Sequence, residues 1–378
     1  MMNKKLKIIF VTDGIFPHSV GGMQRHSRLL IEALANTEEC NLMVIHPHEG
    51  KKIFEGIPAV TEIPLPFQTP ESQFQYLLHH YRYSKQVHRV LLQHPDAVIY
   101  SQGLAVWYRI SDVAHRLIIN PHGLEAFQVM TVKEKVITML FRWLHIYLFR
   151  HCAKVVSLGG RLTEILVNKA GVDKRKIVIL PNAVNMPNAV QRTFDKPVTQ
   201  FIFVGRFAFN KGIDVLMEAI KKVNASGYSE KTKFVLVGKG PEYDRITTTY
   251  QEPNVMFAGG ADDETLFRLY RESDAFVLPT LFEGMPTVAL EAMSYGLPVI
   301  ITDTGATLEL AGADNAIIVE KRSVDSLAGA IKKIADMPAS EKTKMAEASV
   351  TKVSRNFTWP VVAANHLKIF RNIMNGHD

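Results

Sequence analysis

Short apolar runs alternate with amphipathic segments along most of the chain. The first run, LKIIFVTD at residues 6–13, precedes the stretch MQRHSRLLIEALA, whose apolar positions recur with the period of a helix that faces a core. Strands that read as near-continuous apolar runs are typical of a parallel sheet covered by helices on both faces, so the pattern predicts an α/β fold. The further predicted strands are NLMVIHP, DAVIYSQ, RLIINPH, KVVSLG and KIVILPN in the first half, and QFIFVG, KFVLVG, VMFAG, AFVLPT and PVIITD in the second.

The length of 378 residues suits two domains better than one. The alternation of strand and helix restarts after residues 185–200, NMPNAVQRTFDKPVTQ, which hold two prolines and follow no helical or strand period. We therefore expect a first domain over residues 1–190 and a second over 191–357. The remaining residues, 358–378, read as a last amphipathic helix.

The composition narrows the class of protein. Apolar residues make up 47% of the chain and charged residues 21%, which is ordinary for a soluble globular protein. No run of about 18 apolar residues is present, and the basic lead MMNKKLK enters a strand with no signal-peptide cleavage site, so neither a membrane span nor a signal peptide is expected. The two cysteines, Cys40 and Cys152, provide no disulfide framework and no metal-site spacing. We expect a cytoplasmic protein.

Positive charge is concentrated in the first half of the chain. Residues 1–190 carry 22 Lys and Arg against 14 Asp and Glu, a balance of +8, whereas residues 191–378 carry 22 against 23, a balance of −1. This asymmetry suggests an anionic partner, either phosphates or the acidic face of a membrane; surface charge that only favours solubility is the alternative. Nucleic acid is not expected as a partner, because no basic run interleaves with aromatic residues and no binding motif is present.

Two glutamates in residues 282–303, FEGMPTVALEAMSYGLPVIITD, are the strongest candidates for chemistry. Glu283 lies in a loop after a predicted strand, and Glu291 lies in a short apolar helix. Pro286 suits the first position of that helix, and Gly296 suits the position just past its end. A carboxylate among apolar residues needs hydrogen bonds, and the carboxyl ends of parallel strands are where ligands bind. A solvated helix residue is the alternative for Glu291.

Two cations and a pair of glycines occupy loops of the same kind. Arg206 and Lys211 follow the predicted strand QFIFVG; Arg can bind a phosphate with two hydrogen bonds, and Lys adds a point charge. Pairing with a surface carboxylate such as Asp214 is the alternative. Gly21 and Gly22 follow the first strand and open the next helix, where backbone N–H groups can approach an anion; an ordinary turn is the alternative.

Five segments taken together resemble glycosyltransferase family 4, and the resemblance covers nearly the whole chain. FEGMPTVALEAM looks like the paired-glutamate signature of that family; the others are the first strand with its glycine pair, NPHGLE around His122, PNAVN at 181–185 and VGRFAFNKGID at 204–214. The resemblance implies the GT-B fold, in which two Rossmann-like parallel-sheet domains face each other across a cleft. It implies an acceptor-side N-terminal domain, a donor-binding C-terminal domain, and a C-terminal helix that crosses back onto the first domain.

The resemblance also implies a reaction. Family members of this kind transfer a hexose or related sugar, with retention of configuration, from a UDP- or GDP-sugar to a hydroxyl of a glycan or lipid-linked acceptor. We expect a role in cell-surface polysaccharide synthesis. The departing phosphate oxygen itself takes the proton of the acceptor, so no covalent nucleophile is expected. The nucleotide sugar is a substrate, and neither a cofactor nor a metal ion is expected.

The resemblance assigns roles to individual residues. His122 would lie near the transferred sugar, Arg206 and Lys211 would bind the diphosphate, Glu283 would contact the sugar, and Glu291 would accept hydrogen bonds from the ribose hydroxyls. The predicted catalytic residues are therefore His122, Arg206, Lys211 and Glu283. The predicted donor-binding residues are Gly21, Gly22, Arg206, Lys211, Glu283, Gly284, Met285, Pro286, Thr287 and Glu291.

Three positions qualify this assignment. After PVIITD the family has a glycine pair that approaches the diphosphate, whereas this chain has Gly305 and Ala306, so the phosphate contacts of that loop are left open. Glu309 follows at a position that is often acidic in the family, and we expect it to be structural. His18, close to the glycine pair, is a second histidine candidate after His122.

Residues 133–153, KEKVITMLFRWLHIYLFRHCA, are apolar and aromatic with basic residues interspersed. An interfacial helix that lies on a membrane is one interpretation, and a helix packed on the sheet with its basic residues facing water is the other. Peripheral association of the basic N-terminal domain with the anionic inner face of a membrane therefore stays open.

Two other functions also stay open. A nucleotide-sugar epimerase can share this two-domain architecture, and a non-catalytic protein can bind a nucleotide sugar. The paired glutamates together with the Arg/Lys segment favour transfer, and the presence of all five segments disfavours a protein that only binds. An epimerase would act on a nucleotide sugar without an acceptor.

Overall fold

A computed structural model shows a chain divided into two compact units. Unit 1 comprises Met1–Asn182 together with Trp359–Asp378, and unit 2 comprises Ala183–Thr358. Residues 183–188, which the sequence placed in the first domain, fall in unit 2 in this division. The backbone N–H of Val184 donates to the carbonyl of Phe357 at 2.9 Å, which ties this stretch to the segment that leaves unit 2. The structure describes residues 5–19, 21–67, 73–128, 138–188 and 192–376.

Unit 1 contains a seven-stranded parallel sheet. Its strands are β1 Leu6–Val11, β2 Cys40–His46, β3 Val60–Pro64, β4 Val98–Gln102, β5 Leu117–Asn120, β6 Lys154–Ser157 and β7 Ile177–Ile179. Its helices, apart from the last in the chain, are α1 Gly22–Ala35, α2 Gln73–Leu92, α3 Glu125–Gln128, α4 Met139–His151 and α5 Gly160–Asn168. The strand order is β3-β2-β1-β4-β5-β6-β7, and every pairing is parallel.

Unit 2 contains a six-stranded parallel sheet. Its strands are β8 Thr199–Val204, β9 Thr232–Val237, β10 Val255–Gly259, β11 Ala275–Leu278, β12 Val299–Thr302 and β13 Ala316–Val319. Its helices are α6 Ile213–Val223, α7 Tyr243–Thr249, α8 Asp263–Glu272, α9 Thr287–Ser294, α10 Thr307–Leu310, α11 Val324–Asp336 and α12 Ala339–Asn356. The strand order is β10-β9-β8-β11-β12-β13. The α/β fold with two Rossmann-like parallel sheets is therefore confirmed.

The central strands are buried on both faces, which explains their continuous apolar sequences. All four residues of β11 and all four of β12 are buried, as are Ile8 to Val11 of β1. Burying one such aliphatic or aromatic side chain contributes about 1.5–3 kcal/mol, so the sheet interior supplies most of the stabilisation of each unit. Two strands that the sequence did not predict, β3 and β13, lie at sheet edges, where partial exposure interrupts the apolar pattern.

The last helix, α13 Trp359–Met374, belongs to unit 1, as the family resemblance implied. Its His366 Nε2 lies 3.2 Å from the hydroxyl of Tyr100 in β4, and its Phe370 packs edge-on against the same ring. These contacts fix the end of the chain on the sheet of unit 1. Among the described residues, no helix combines the length and apolar character that crossing a membrane requires.

Each sheet has one topological switch point. In unit 1, β1 lies between β2 and β4, and in unit 2, β8 lies between β9 and β11, so the connections reverse direction at β1/β4 and at β8/β11. In open parallel sheets, ligands bind outside the carboxyl ends of the strands at such points. The residues that follow β1, β4, β8 and β11 are therefore the first places to look for chemistry.

Candidate active site

The loops after β8 and β11 are held against each other at the switch point of unit 2. A 3₁₀ turn, Phe209–Lys211, follows β8, and the next residue, Gly212, has a φ of 68°. A Cβ at Gly212 would collide with the carbonyl oxygen of Pro279 in the loop after β11. The hydroxyl of Thr280 donates to the carbonyl oxygen of Asn210 at 2.8 Å. Only glycine permits this approach, which fixes the separation of the two loops.

Lys211 and Glu283 form an ion pair across these loops. Nζ of Lys211 contacts Oε1 of Glu283, and the two side chains are only 20% and 13% exposed. Thr280 Oγ1 lies 3.5 Å from the same carboxylate oxygen. The sequence predicted both residues near a ligand but not in contact with each other. Because water screens this pair less than a surface pair, an incoming anion must compete with Glu283 for Lys211.

The loop after β12 packs on the loop that carries Glu283. Gly305 has a φ of 51°, and a Cβ there would collide with the carbonyl oxygens of Glu283 and Gly284. The next residue, Ala306, donates its N–H to the carbonyl oxygen of Gly284 at 2.8 Å, and its methyl group is fully buried. The core thus accommodates the methyl group that departs from the family pattern, and the Ala306 amide already has a backbone acceptor.

Glu291 is oriented by a buried tyrosine. It lies on α9, half-buried, and its Oε2 accepts a hydrogen bond of 3.2 Å from the hydroxyl of Tyr270. Glu291 is therefore not the fully solvated residue of the alternative interpretation. The helix begins at Thr287, so Pro286 lies one position earlier than predicted, because its ψ of 108° is extended. Gly296, with a φ of 71°, lies just past the end, as predicted.

The other predicted positions of this loop differ in their surroundings. Met285 and Pro286 are buried, so their side chains belong to the core of unit 2. Glu283, Gly284 and Thr287 are each partly exposed. The part of the loop that a ligand can reach therefore consists mainly of these three residues.

Two exposed cations, Arg206 and Lys239, lie in the loops after β8 and its neighbour β9. Arg206, in the loop after β8, is exposed and has no carboxylate partner within the described part of the chain. Asp214 does not provide one, because it pairs with Arg245 at 2.6 Å. The loop after β9 lies against Arg206, since a Cβ at Gly240 would come within 2.9 Å of its Cγ. That loop carries Lys239, which the sequence analysis missed although VGKG follows its strand much as VGR follows β8.

His122 lies in unit 1, just past the carboxyl end of β5. Its backbone has a φ of 56°, its N–H donates to Asn120 Oδ1 at 3.0 Å, and its Nε2 contacts Oε1 of Gln102 at the end of β4. Burial lowers the pKa of His122 to about 4, so the imidazole is neutral at pH 7. A neutral imidazole can donate to or accept from a hydroxyl. His26 on α1 lies edge-on, with its ring centroid 5.6 Å from that of His122.

Gly21 and Gly22 stand at the start of α1. Gly21 has an extended backbone with a φ of 166°, and a Cβ at Gly22 would meet no atom within 4 Å. Packing within unit 1 therefore does not require the glycine at position 22. Open space at Gly22 is compatible with the predicted approach of an anion to the start of this fourteen-residue helix, whereas a Cβ at Gly21 would collide with Oε1 of Gln24. His18, the second histidine candidate, is exposed and lies 5.3 Å from the ring of His48.

Asp13 is a candidate that the sequence analysis missed. It follows β1 at the switch point of unit 1, its side chain is 15% exposed, and its Oδ2 lies 3.6 Å from Nε2 of His80. Its Oδ1 is buried without a hydrogen-bond partner among the residues described. The ring centroid of Tyr76 lies 4.1 Å from that of His80, so the surroundings of Asp13 include aromatic rings. The polar end of LKIIFVTD was the signal that could have identified it.

Asp13 should make unit 1 less stable at neutral pH than it would be with a neutral side chain. Burial raises the pKa of this carboxyl from its ordinary 3.8 to about 6. Its stabilising contribution is therefore complete below pH 3.8 and is lost as the pH rises through about 6. We expect Asp13→Asn to raise the free energy of unfolding by about 3 kcal/mol above that range, and by little below it. Urea denaturation of both proteins across the range measures the difference.

A matched control for this variant is Asp96→Asn. Asp96 is half-exposed and pairs with Lys7 at 2.7 Å on the surface of the same unit. Replacing Asp96 should not produce a gain in the free energy of unfolding that grows with pH. Two results would contradict this expectation: a difference in the free energy of unfolding between wild type and Asp13→Asn that is constant with pH, or a loss of stability in the variant at neutral pH. Either would show that burial does not destabilise the charged form of the Asp13 carboxyl.

Two family models match the chain, one in each unit. The model described as Glycosyltransferase Family 4 matches residues 20–186, and the model described as Glycosyl transferases group 1 matches residues 198–337. The fold and these matches together define a glycosyltransferase of the GT-B type. Over residues 20–186 the chain is similar to glycosyltransferase family 4.

Individual proteins resemble the chain over varying lengths. It is 26% identical over 232 residues to UDP-Gal:alpha-D-GlcNAc-diphosphoundecaprenol alpha-1,3-galactosyltransferase of Escherichia coli. This match covers 57% of this chain and 59% of that protein. It is 35% identical over 188 residues to the putative teichuronic acid biosynthesis glycosyltransferase TuaC of Bacillus subtilis, covering 47% and 45%. The matches thus span about half of these relatives. The structure of sucrose-phosphate synthase from Thermosynechococcus elongatus superposes with a TM-score of 0.79 at 17% identity, covering 98% of this chain and 100% of that one.

Proposed function

We propose that the protein is a retaining glycosyltransferase that moves a hexose or related sugar from a UDP- or GDP-sugar to a hydroxyl of a glycan or lipid-linked acceptor. The observation that carries this proposal is the shielded Lys211–Glu283 pair at the switch point of unit 2. Arg206 is in the loop that carries Lys211, and Glu291 is on the helix that follows Glu283. In a chain similar to family 4, these charges would serve to bind a nucleotide sugar.

The donor would be held by charges of both signs. Arg206 and Lys211, with Lys239 on the neighbouring loop, would carry the negative charge of the diphosphate, which grows as the sugar departs. We expect these cations to take the part that a metal ion has in other transferases, so neither a metal nor a cofactor is proposed. Glu291 would accept hydrogen bonds from the ribose hydroxyls, and Tyr270 would hold its carboxylate in place.

The transfer step itself would need no nucleophile from the protein. The bond between the anomeric carbon and the donor phosphate oxygen breaks, the acceptor oxygen bonds to the same face of that carbon, and the departing phosphate oxygen takes the acceptor proton. Glu283 would hold a sugar hydroxyl once the diphosphate has replaced it as the partner of Lys211. His122, neutral at pH 7, would hydrogen-bond to the transferred sugar.

The names of the relatives support a role in making cell-surface glycans. The Escherichia coli relative is named for a diphosphoundecaprenol-linked acceptor and UDP-Gal, and the Bacillus subtilis relative is named for teichuronic acid biosynthesis. By analogy we propose a lipid-linked or growing-polymer acceptor for this chain. We also propose that it acts in the cytoplasm, where nucleotide sugars are available, as a peripheral protein at the inner membrane face.

Donor binding should be detectable before the acceptor is known. We expect one of UDP, GDP or ADP, alone or as its sugar, to stabilise unit 2 selectively. A ligand that binds only the folded state adds about 2.7 kcal/mol at a hundred times its dissociation constant. A thermal-shift panel measures this, and the nucleotide that stabilises identifies the base. Equal response to all of them, or to none, would contradict the proposed donor site.

The same donor distinguishes transfer from epimerisation. Incubated with the nucleotide sugar alone, a transferase should leave the sugar configuration unchanged and release nucleoside diphosphate only slowly, by hydrolysis. Adding lipid-linked or polysaccharide acceptors should accelerate that release. Conversion of the donor to its epimer without an acceptor would instead identify an epimerase.

A further inference from the structure

Arg192 binds the ends of two helices in unit 2 at once. Its Nη2 donates to the carbonyl oxygen of Tyr270 at 2.6 Å, and its Nη1 donates to the carbonyl oxygen of Ser273, both at the carboxyl end of α8. Its Nε donates to the carbonyl oxygen of Tyr295, the residue that follows α9. The last carbonyls of a helix have no partner within the helix, so a guanidinium that binds them stabilises both helix ends.

The side chain of Arg192 is packed into this place. It is partly buried, and a Cβ at Gly296 would come within 3.3 Å of its Cδ. Burial lowers the pKa of Arg192 to about 10, so the guanidinium is still charged at pH 7. Arg192 lies between the two segments that the family models match, residues 20–186 and 198–337, and the family resemblance assigned it no role.

The two tyrosines whose backbones Arg192 binds also pack ring against ring. The ring centroids of Tyr270 and Tyr295 are 5.6 Å apart, with an interplanar angle of 24°. The ring of Phe267, one turn earlier on α8, stacks on Tyr295 at 5.9 Å. Stacked aromatic rings have a preferred geometry, so the position of Tyr270 is fixed both through its backbone and through its ring.

The hydroxyl of Tyr270 has two acceptors within reach. It lies 3.2 Å from Oε2 of Glu291 and 3.3 Å from the carbonyl oxygen of Val288. A tyrosine hydroxyl donates a single hydrogen, so a small displacement of α8 against α9 decides which acceptor receives it. Donation to Glu291 orients the carboxylate, whereas donation to Val288 does not.

We propose that Arg192 is a positioning residue for the ribose of the donor. By binding the carbonyls at the ends of α8 and α9, it holds the Tyr270 hydroxyl against Glu291 and so sets how strongly the site prefers a ribose with both of its hydroxyls. The inference rests on the proposed function, from which it takes that Glu291 accepts hydrogen bonds from the ribose. Arg192 acts through Tyr270 and not by binding the donor itself.

Two ligands measure this preference: the nucleoside diphosphate that the thermal-shift panel identifies, and its 2′,3′-dideoxy form. In calorimetric titrations, wild type should bind the ribose form at least tenfold more tightly, because hydrogen bonds to a carboxylate are among the stronger ones. Arg192→Ala should weaken binding of the ribose form about tenfold and change binding of the dideoxy form little. An arginine with only a structural role would weaken binding of both ligands equally.

A double-variant cycle tests whether Arg192 acts through Tyr270. Tyr270→Phe removes the hydroxyl and should lower the ribose preference as Arg192→Ala does. The double variant Arg192→Ala/Tyr270→Phe should then have the same preference as Tyr270→Phe alone, because no hydroxyl is left to be displaced. Arg192→Lys retains the charge but presents one ammonium to three carbonyls, and should give an intermediate preference. It supplies the measurement if Arg192→Ala does not fold.

Lys196→Ala is the matched control. Nζ of Lys196 donates to the carbonyl oxygen of Glu272 at 3.1 Å, so this lysine also binds the carboxyl end of α8, but at a residue other than the two stacked tyrosines. Its replacement removes the same charge from the same helix end and should leave the ribose preference unchanged.

Three results would overturn the inference: full ribose preference in Arg192→Ala, equal weakening of both ligands, or additive effects in the double variant. The proposed function fails in a different way. Wild type that binds no nucleoside diphosphate, or Glu291→Gln that keeps the full ribose preference, would contradict the ribose site itself and the inference with it. A preference that Glu291→Gln loses and Arg192→Ala retains would count against Arg192 alone.

Discussion

Replacing Lys211 by alanine should lower turnover by roughly two to three orders of magnitude, the loss that follows removal of one preorganised donor from a developing oxyanion. Lys211 lies in the loop after β8, at the switch point of unit 2, and its side chain is only 20% exposed. The variant also removes the ammonium that faces the Glu283 carboxylate, which is 13% exposed and lies beside the place where the diphosphate would bind. Both effects weaken binding of the departing group. Steady-state kinetics with the donor identified by thermal shift measures the loss.

Lys222→Ala is the matched control for this variant. Lys222 belongs to the same unit, also pairs with one carboxylate, Asp325, and is about half exposed. Its removal changes the net charge by the same amount and should leave turnover unchanged. A Lys211→Ala protein that melts as wild type does and turns over as fast would contradict the assignment of Lys211 to the diphosphate.

The double variant Lys211→Ala/Glu283→Gln separates the two effects. If part of the Lys211→Ala defect comes from the negative charge of Glu283, nucleoside diphosphate should bind the double variant more tightly than the single one. Residues in direct contact are expected to be non-additive in this way, with interaction energies of about 0.5–3 kcal/mol. Turnover of the double variant should stay low, because neither group can then act on the donor.

The strands of the two sheets were largely predictable because burial on both faces requires apolar residues without interruption. The runs LKIIFVTD, QFIFVG and AFVLPT predicted β1, β8 and β11, which end at Val11, Val204 and Leu278, and they also predicted the loops that follow. In the edge strands β3 and β13 partial exposure weakens the apolar pattern, and the prediction missed both. The edge strands β7 and β10 are also partly exposed but were predicted, because their sequences, KIVILPN and VMFAG, still read as apolar runs.

The types of residue in the unit 2 loops were predictable, but their pairing was not. Arg206, Lys211, Glu283 and Glu291 stand out because charged residues after buried strands are where ligands bind. The contact between Lys211 and Glu283 depends on the close approach of two loops that are far apart in sequence. That approach depends in turn on Gly212, whose left-handed backbone and missing side chain a sequence pattern cannot distinguish from those of an ordinary turn.

The polar residues of unit 1 were harder to find because burial, not sequence context, makes them unusual. Asp13 is one acidic residue at the end of a strand, and only its contact with His80 and the unpartnered Oδ1 distinguish it. His26 and Gln102 became candidates only through their contacts with His122. Among the twelve histidines in the first half, the family resemblance ranked His122 first and His18 second, but no sequence signal pointed to His26.

Replacing Glu283 by glutamine should lower the rate of sugar transfer but raise the affinity for nucleoside diphosphate. Transfer should fall by roughly two to three orders of magnitude, because the group that would hold the sugar in the transition state loses its charge. Binding of the bare nucleoside diphosphate should tighten about tenfold, because its phosphates no longer compete with a carboxylate for the Lys211 ammonium. Isothermal titration calorimetry with the diphosphate and kinetics with the intact donor measure the two effects separately.

This pair of shifts distinguishes an active-site contact from a structural ion pair. Asp325→Asn, which removes the partner of an exposed lysine in the same unit, controls for the loss of one negative charge and should change neither measurement. If Lys211 and Glu283 served only to hold the two loops together, breaking the pair from either side would loosen the site, and Glu283→Gln would weaken diphosphate binding just as Lys211→Ala does. Opposite shifts in diphosphate affinity for the two variants therefore require that Lys211 exchanges a carboxylate for a phosphate when the donor binds.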